Sequence, residues 1–343
     1  MEKGKSIRKA RSSNIELLRI LAAFGVIARH YDDGGHFLGV SKYFVFDMCD
    51  CFFAWVVTAF FMISGYCTFR RMEVDWKKPI KLYVQLVFFQ VFGVVVTALW
   101  KREFAPGDLL MCLVPINYFF CQFIAVSLIS PYLNRLSASL DQDRKRKLLL
   151  FLVGIFSLWG YGMDLLSVPL NANLGMATPL SISGNIYGYN VVNFTLCYLI
   201  GAYIGDGTLQ IRKPLLCFAG STAAILVIRK LCGVTIASAF CSPFVLLQTA
   251  SILCLFLSWD LGSIKWINRL ASAGFTVYLT HLVLMAFVGR EAYYDAPTVK
   301  MCMHLAFSVI ALYLGGFLLN EVYVFLTEPV FRRIWKTDKQ KAN

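Results

Sequence analysis

The segment NIELLRILAAFGVIARHYDD, from Asn14 to Asp33, sets a guanidinium and an imidazole eleven residues apart in a largely apolar run. At 100° per residue, eleven helical steps come to three turns plus about 20°, so Arg19 and His30 project from one face, about 16 Å apart along the axis. A fixed cation can hold an anion or stabilise an oxyanion. An imidazole with an unperturbed pKa of about 6.5 can take a proton from a hydroxyl near neutral pH, or carry a transferred group itself. These two residues are the catalytic candidates. Asp32 and Asp33 follow directly and are secondary candidates for orienting the imidazole, solvation being their alternative reading. The structural alternative pairs Arg19 with Glu16 and leaves His30 as an interfacial residue beside Arg29 and Tyr31.

Two further ionisable residues lie in apolar runs. His281 falls in FTVYLTHLVL behind Tyr278 and Thr280, where a hydrogen-bonded structural role competes with a functional one, so it ranks as secondary. Glu321, also secondary, is expected to pair with a basic residue on its own side of the membrane, such as Arg19. His36 and His304 receive no role. Eleven cysteines occur without a CxxC pair, and neither a disulfide framework nor a metal site is expected.

The elements that must carry these residues follow from composition. Of 343 residues, 58% are hydrophobic and only 15% charged, against about 25% charged in an ordinary soluble chain. Ten apolar segments approach the roughly 20 residues a membrane-spanning helix needs: 14–31, 44–69, 80–100, 109–133, 148–165, 189–206, 214–231, 239–259, 271–289 and 303–327. The fold class is therefore an all-α polytopic membrane protein. The first segment follows a basic start but contains Glu16, Arg19, Arg29 and His30, which suits a retained helix rather than a cleaved signal. The net charge of +13 is spread over short clusters between apolar runs and forms no nucleic-acid-binding face. Of the 33 Lys and Arg residues, 24 fall on alternate connections together with both termini and 7 on the others, so both termini are expected in the cytoplasm. The expected organisation is a basic tail over 1–13, a ten-helix domain over 14–330 and a basic tail over 331–343. The connection over 164–188 reads as an irregular outer lid, and no internal repeat is evident.

Five stretches carry a family resemblance. The first helix resembles the R-x10-H signature of the membrane-bound acyltransferase-3 family, with Arg19 and His30 in the two positions. FFMISGYCTFRR (Phe60 to Arg71) is similar to its FF-x-x-SG-[FY] segment, and NYFFCQFIAVSLISPYLNRL (Asn117 to Leu136) to its aromatic-led helix ending in a Pro. NFTLCYLIGAYIG (Asn193 to Gly205) and FTVYLTHLVL (Phe275 to Leu284) resemble two further family elements. Tyr118 stands where a Trp is common, and Arg70 and Arg71 are adjacent where some members space them.

The resemblance implies a surface-polysaccharide O-acetyltransferase-like enzyme of the cell membrane. It would move an acyl group, commonly acetyl, from cytoplasmic acetyl-CoA as co-substrate to a hydroxyl of a cell-surface or lipid-linked glycan, with no tightly bound cofactor. Its partners would be acyl-CoA, a carbohydrate acceptor, the bilayer and glycan-assembly proteins. Arg70 and Arg71, beside Lys77, Lys78 and Lys81, can hold the coenzyme's phosphates, with positive-inside topology as the alternative reading. Ser64, with Gly65, would let ligand approach the backbone, tight helix packing being the alternative. A transporter lined by Arg19, Glu321, His30 and His281 is the competing class, and a scaffold of a glycan-assembly complex a third.

Overall fold

A computed structural model of the chain describes residues 12–31, 40–172, 174 and 186–341. Among these residues the chain is helical and has no strand. That is the outcome hydrocarbon imposes, because a helix satisfies its own backbone where no water is available. In chain order the helices are α1 (Ser13–Tyr31), α2 (Val40–Phe52), α3 (Val56–Thr68), α4 (Lys77–Lys101), α5 (Pro106–Met111), α6 (Tyr118–Ala138), α7 (Gln142–Val153), α8 (Gly160–Leu170), α9 (Val191–Gly205), α10 (Pro214–Cys232), α11 (Val234–Ala237), α12 (Pro243–Leu257), α13 (Lys265–Ala271), α14 (Gly274–Met285) and α15 (Thr298–Lys341). A π-helical stretch, Gly154–Trp159, joins α7 to α8.

Among the described residues, five stretches are long and apolar enough to cross a membrane: Phe44–Thr68, Lys77–Lys101, Gln142–Leu170, Pro214–Cys232 and Thr298–Trp335. Helices α9, α12 and α14 are shorter apolar elements. The surface agrees with a lipid solvent. Helix α4 buries only Leu86 and Phe89, and Leu99 and Phe325 are 77% and 79% exposed. Such apolar area would be costly in water and is ordinary in hydrocarbon. The protein is a polytopic membrane protein.

Several expected boundaries move. The segment expected over 109–133 is divided between α5 and α6, and where the family resemblance implies a helix ending in a Pro, α6 continues past Pro131 to Ala138. A proline removes the bond to the carbonyl four residues back, and Ser130 Oγ donates to that freed Ser127 carbonyl at 3.0 Å. Pro329 likewise lies inside α15, so 331–341, expected as a tail, continues that helix, with Phe331 stacked on Trp335. Helix α8 runs to Leu170, and most of the remaining connection to 188 lies outside the described residues, as does the 1–11 tail.

Helix α1 is the hub, with 13 of its 19 residues buried between two apolar cores. Its ends are pinned by other elements. Ser13 N donates to Gly262 O at 2.9 Å, Ser13 Oγ accepts from Ile264 N at 2.6 Å, and Asn14 Nδ2 donates to Phe256 O at 2.8 Å. At the far end Arg290 donates to the carbonyls of His30 and Tyr31 at 2.7 and 2.9 Å, and the Tyr294 hydroxyl donates to Tyr31 O at 3.0 Å. Carbonyls that the helix cannot satisfy itself are thereby satisfied from outside. Beside α1, α3 crosses α9 backbone to backbone. A Cβ on Gly65 would stand 2.0 Å from Tyr198 O, and one on Gly201 1.9 Å from Met62 O. Two glycines from two helices make this crossing possible.

Candidate functional site

Chemistry-bearing groups gather at both ends of α1. At the His30 end there is a cavity of about 680 Å³, with Val26, Arg29 and His30 of α1 on one wall and Tyr278, Leu279 and His281 of α14 opposite. Asp50, Asn117, Tyr118, Tyr187, Tyr189 and Phe240 complete its polar and aromatic lining. The His30 and His281 rings face each other at 5.1 Å between centroids. His281 is 2% exposed, and its Nδ1 lies 2.7 Å from Tyr278 O. A carbonyl only accepts, so Nδ1 carries a proton, and in the neutral ring Nε2 is then the acceptor. The Tyr278 hydroxyl donates to Asn117 Oδ1 at 3.3 Å, and the same oxygen caps α6 by accepting from Phe120 N at 2.9 Å.

A chain of ion pairs borders this cavity. Asp50 accepts from Arg29 Nε at 3.4 Å and from Arg229 at 3.0 Å. Asp47 accepts from Arg229 Nε at 2.6 Å and from Lys230 at 2.5 Å. Helices α1, α2 and α10 are joined by these contacts, and Arg29 and Asp50 are held at the cavity wall. Behind His30, Tyr31 and His304 form a clamp. His304 Nε2 lies 3.0 Å from Val288 O and so carries the proton, which leaves Nδ1 to accept from the Tyr31 hydroxyl at 2.6 Å.

The Arg19 end is of another kind. Arg19 binds Glu16 at 2.6 Å and donates toward Cys67 Sγ at 3.7 Å. Close by, Ser64 and Thr68 of α3, Arg71, Glu73 and Asp75, Lys78 of α4 and Ser127 and Ser130 of α6 line a small polar pocket. Arg71 also reaches Asp75 at 3.5 Å, whereas Arg70 turns away to stack on Phe69, 5.1 Å from the ring centre. The backbone here is fixed by Asn134, which donates to Thr68 O and Arg71 O at 2.8 Å each and accepts from Tyr198 at 3.0 Å. Rings connect the two ends. Lys78 sits 4.8 Å over Phe123, which meets Phe119 at 5.8 Å, Phe119 meets Tyr278 at 4.7 Å, and Tyr278 meets His281 at 5.9 Å.

The structure thus brings His30 and His281 together, and groups Ser64 with Arg71 and Lys78. Arg19 does not line the His30 cavity. Arg70 does not line the Ser64 pocket. Glu321 does not pair with Arg19 but with Arg269 of α13, at 2.5 Å. Its neighbour Asn320 is buried and accepts from Thr276, which turns Glu321 toward the flank where Arg269 stands. Asp32 and Asp33 lie outside the described residues. Sequence reasoning passed over Asp50, Asn117, Tyr278 and Arg290. Asp50 had a usable signal, a carboxylate within an apolar run, whereas Asn117, Tyr278 and Arg290 had none that a single sequence offers.

A family model described as an acyltransferase domain matches residues 12–321. Neither a search of curated proteins nor a search of solved structures returned a match. The matched region spans all of α1 to α14 and about the first half of α15. The chain belongs to the acyltransferase-3 family and is a multi-pass membrane acyltransferase.

Proposed function

We propose that this acyltransferase moves an acyl group, acetyl in the simplest case, from a cytoplasmic acyl-CoA to a hydroxyl of a glycan at the outer face of the cell membrane. The observation that carries the reading is the pairing of His30 with His281 in one cavity, while a polar pocket lined by Arg71 and Lys78 together with Glu73 and Asp75 stands toward the opposite end of the same helix. The excess of Lys and Arg on the connections shared with the termini supports a cytoplasmic Arg19 end. Arg71 and Lys78, with Arg19 beside Cys67, would meet the coenzyme's phosphates there.

At the far end His30 serves as general base. It takes the acceptor's hydroxyl proton as the oxygen attacks the thioester carbonyl. The new C–O bond forms, the C–S bond breaks, and the proton returns from the imidazolium to the departing thiolate. His281, with Nε2 as an acceptor, orients the acceptor hydroxyl or its neighbour. Arg290 and the Tyr31 clamp hold the end of α1 that bears His30. Purified protein in lipid nanodiscs tests this. Coenzyme release from acetyl-CoA that depends on a glycan acceptor, with an alkali-labile ester on the product, is the expected result. Acceptor crossing vesicles unmodified, without coenzyme release, would overturn it.

A further inference from the structure

Beside the His30 cavity lies a second one, of about 440 Å³, between α4 and α14. The α4 wall is Leu86, Phe89, Gly93, Val94 and Ala98 with the polar Gln90 and Thr97 among them, at spacings that keep one helical face inward, and Leu279 and Val283 of α14, one turn apart, line the chamber with them. Two residues, Asn117 and Leu279, line both cavities, so the chambers share a wall. The second chamber adjoins the histidines at the end of α1 away from the Arg71 and Lys78 pocket. A thioester whose coenzyme is held at Arg71 and whose carbonyl stands at the histidines has one part left to house, the chain beyond the reacting carbon.

Resting on the function proposed above, we propose that this chamber binds the aliphatic chain of the donor's acyl group and admits chains longer than acetyl. Its walls are mostly hydrocarbon, and Glu103 and Asp108 stand on its lining, so a neutral chain fits and a dicarboxylic acyl group such as succinyl meets like charge. Gly93 sets the width. A Cβ there would lie 3.4 Å from Val283 Cγ2, so a larger side chain at 93 projects into the space the chain would take.

The test measures thermal stabilisation of the full chain in nanodiscs by acetyl-, butyryl-, hexanoyl- and succinyl-CoA at matched concentrations, with no acceptor required. Apparent affinity is expected to rise about fourfold per methylene buried from acetyl to butyryl, and succinyl-CoA to gain nothing over acetyl-CoA. Gly93→Leu should keep the response to acetyl-CoA and lose the gain with chain length. Val283→Ala should extend the gain to hexanoyl-CoA, so the two variants move in opposite directions and misfolding of one cannot imitate the pattern. Dodecyl phosphate serves as the probe for a lipid tail. A flat chain-length series in protein that still binds acetyl-CoA, or a Gly93→Leu variant that loses dodecyl phosphate while keeping the acyl-length response, would overturn the proposal and leave the acyltransfer reading standing. No response to any acyl-CoA, together with no transfer, would remove that reading and this one with it.

Discussion

The two ends of α1 differ in what they do with charge. At the Arg19 end the cations are close to partners: Arg19 on Glu16, Arg71 on Asp75, Lys78 over a ring, around a pocket of about 20 Å³. At the His30 end the ions are drawn to the wall of a cavity of about 680 Å³ lined by two imidazoles and four tyrosines. On the proposed reading, one end holds the donor's phosphates and the other moves a proton. The eleven-residue spacing puts Arg19 and His30 on one face, yet three turns of rise separate them, so the pair marks two sites on one rod rather than a dyad acting on one atom.

The largest expected effect tests that division. His30→Gln keeps hydrogen bonding but cannot take up and release a proton near neutral pH, so turnover should fall at least ~100-fold with the donor Michaelis constant little changed. Arg19→Ala should do the reverse, raising the donor constant more than it lowers turnover. Steady-state kinetics at matched membrane expression decide the matter, and equal losses in turnover from both variants would restore the dyad.

Arg71 and Arg70 sharpen the account of the Arg19 end. Arg71 lines the pocket with Ser64 while Arg70 packs on Phe69. Arg71→Ala should raise the donor constant about tenfold, the loss of one charge-assisted hydrogen bond at a partly exposed site. Arg70→Ala should stay within about twofold, as an exposed cation–π contact contributes little. Equal effects would mean that the basic cluster acts only through its overall field.

Much of this arrangement was legible in the sequence, and for a physical reason. Apolar runs of membrane length have one way to satisfy their backbones, so the helices followed from hydropathy, and an imidazole within such a run is costly enough to be noticed. Asn134, Asn117 and Arg290 were not legible because each acts on the backbone of a helix distant in sequence. Gly65 illustrates the same limit. The SGY segment offered ligand approach or helix packing, and only the carbonyl of Tyr198 against it shows packing. Pro131 misled because its cost is offset by Ser130, a compensation visible only once the helix is built. Asp50 was missed although the rule that found His30 applies to it equally.

Arg290 probes the other end more finely. It donates to the carbonyls of His30 and Tyr31 without lining the cavity. Arg290→Gln should lower turnover about fivefold, the equivalent of about 1 kcal/mol of lost helix-end interaction. As a positioning residue it should leave the donor constant unchanged, and Arg290→Lys should recover part of the loss. A rise in the donor constant would place Arg290 in binding instead.

The smallest effect is expected at an ion pair that lines none of the cavities described above. Asp206, just beyond α9, accepts from Lys145 of α7 at 2.7 Å and from Thr208 N at 2.9 Å. Burial alone would raise its pKa, but these hydrogen bonds outweigh burial and hold the carboxyl below the ordinary carboxylate value. A depressed folded pKa means that the contribution to stability is complete at neutral pH. It begins to fade below the unfolded-chain value of about 3.9 and is gone once the pH passes below the folded value. Asp206→Asn should therefore cost under about 1 kcal/mol at pH 7, and the gap to the parent protein should close as acid unfolding is approached. Acyl transfer at pH 7 should stay within about twofold, because nothing at this pair reaches either end of α1. Unfolding midpoints of the two proteins across that pH range, with turnover measured alongside, check both halves. If this variant lost transfer as His30→Gln is expected to, function would not be confined to the two ends of α1, and the ion pairs of the His30 cavity could no longer be set apart from those elsewhere in the fold.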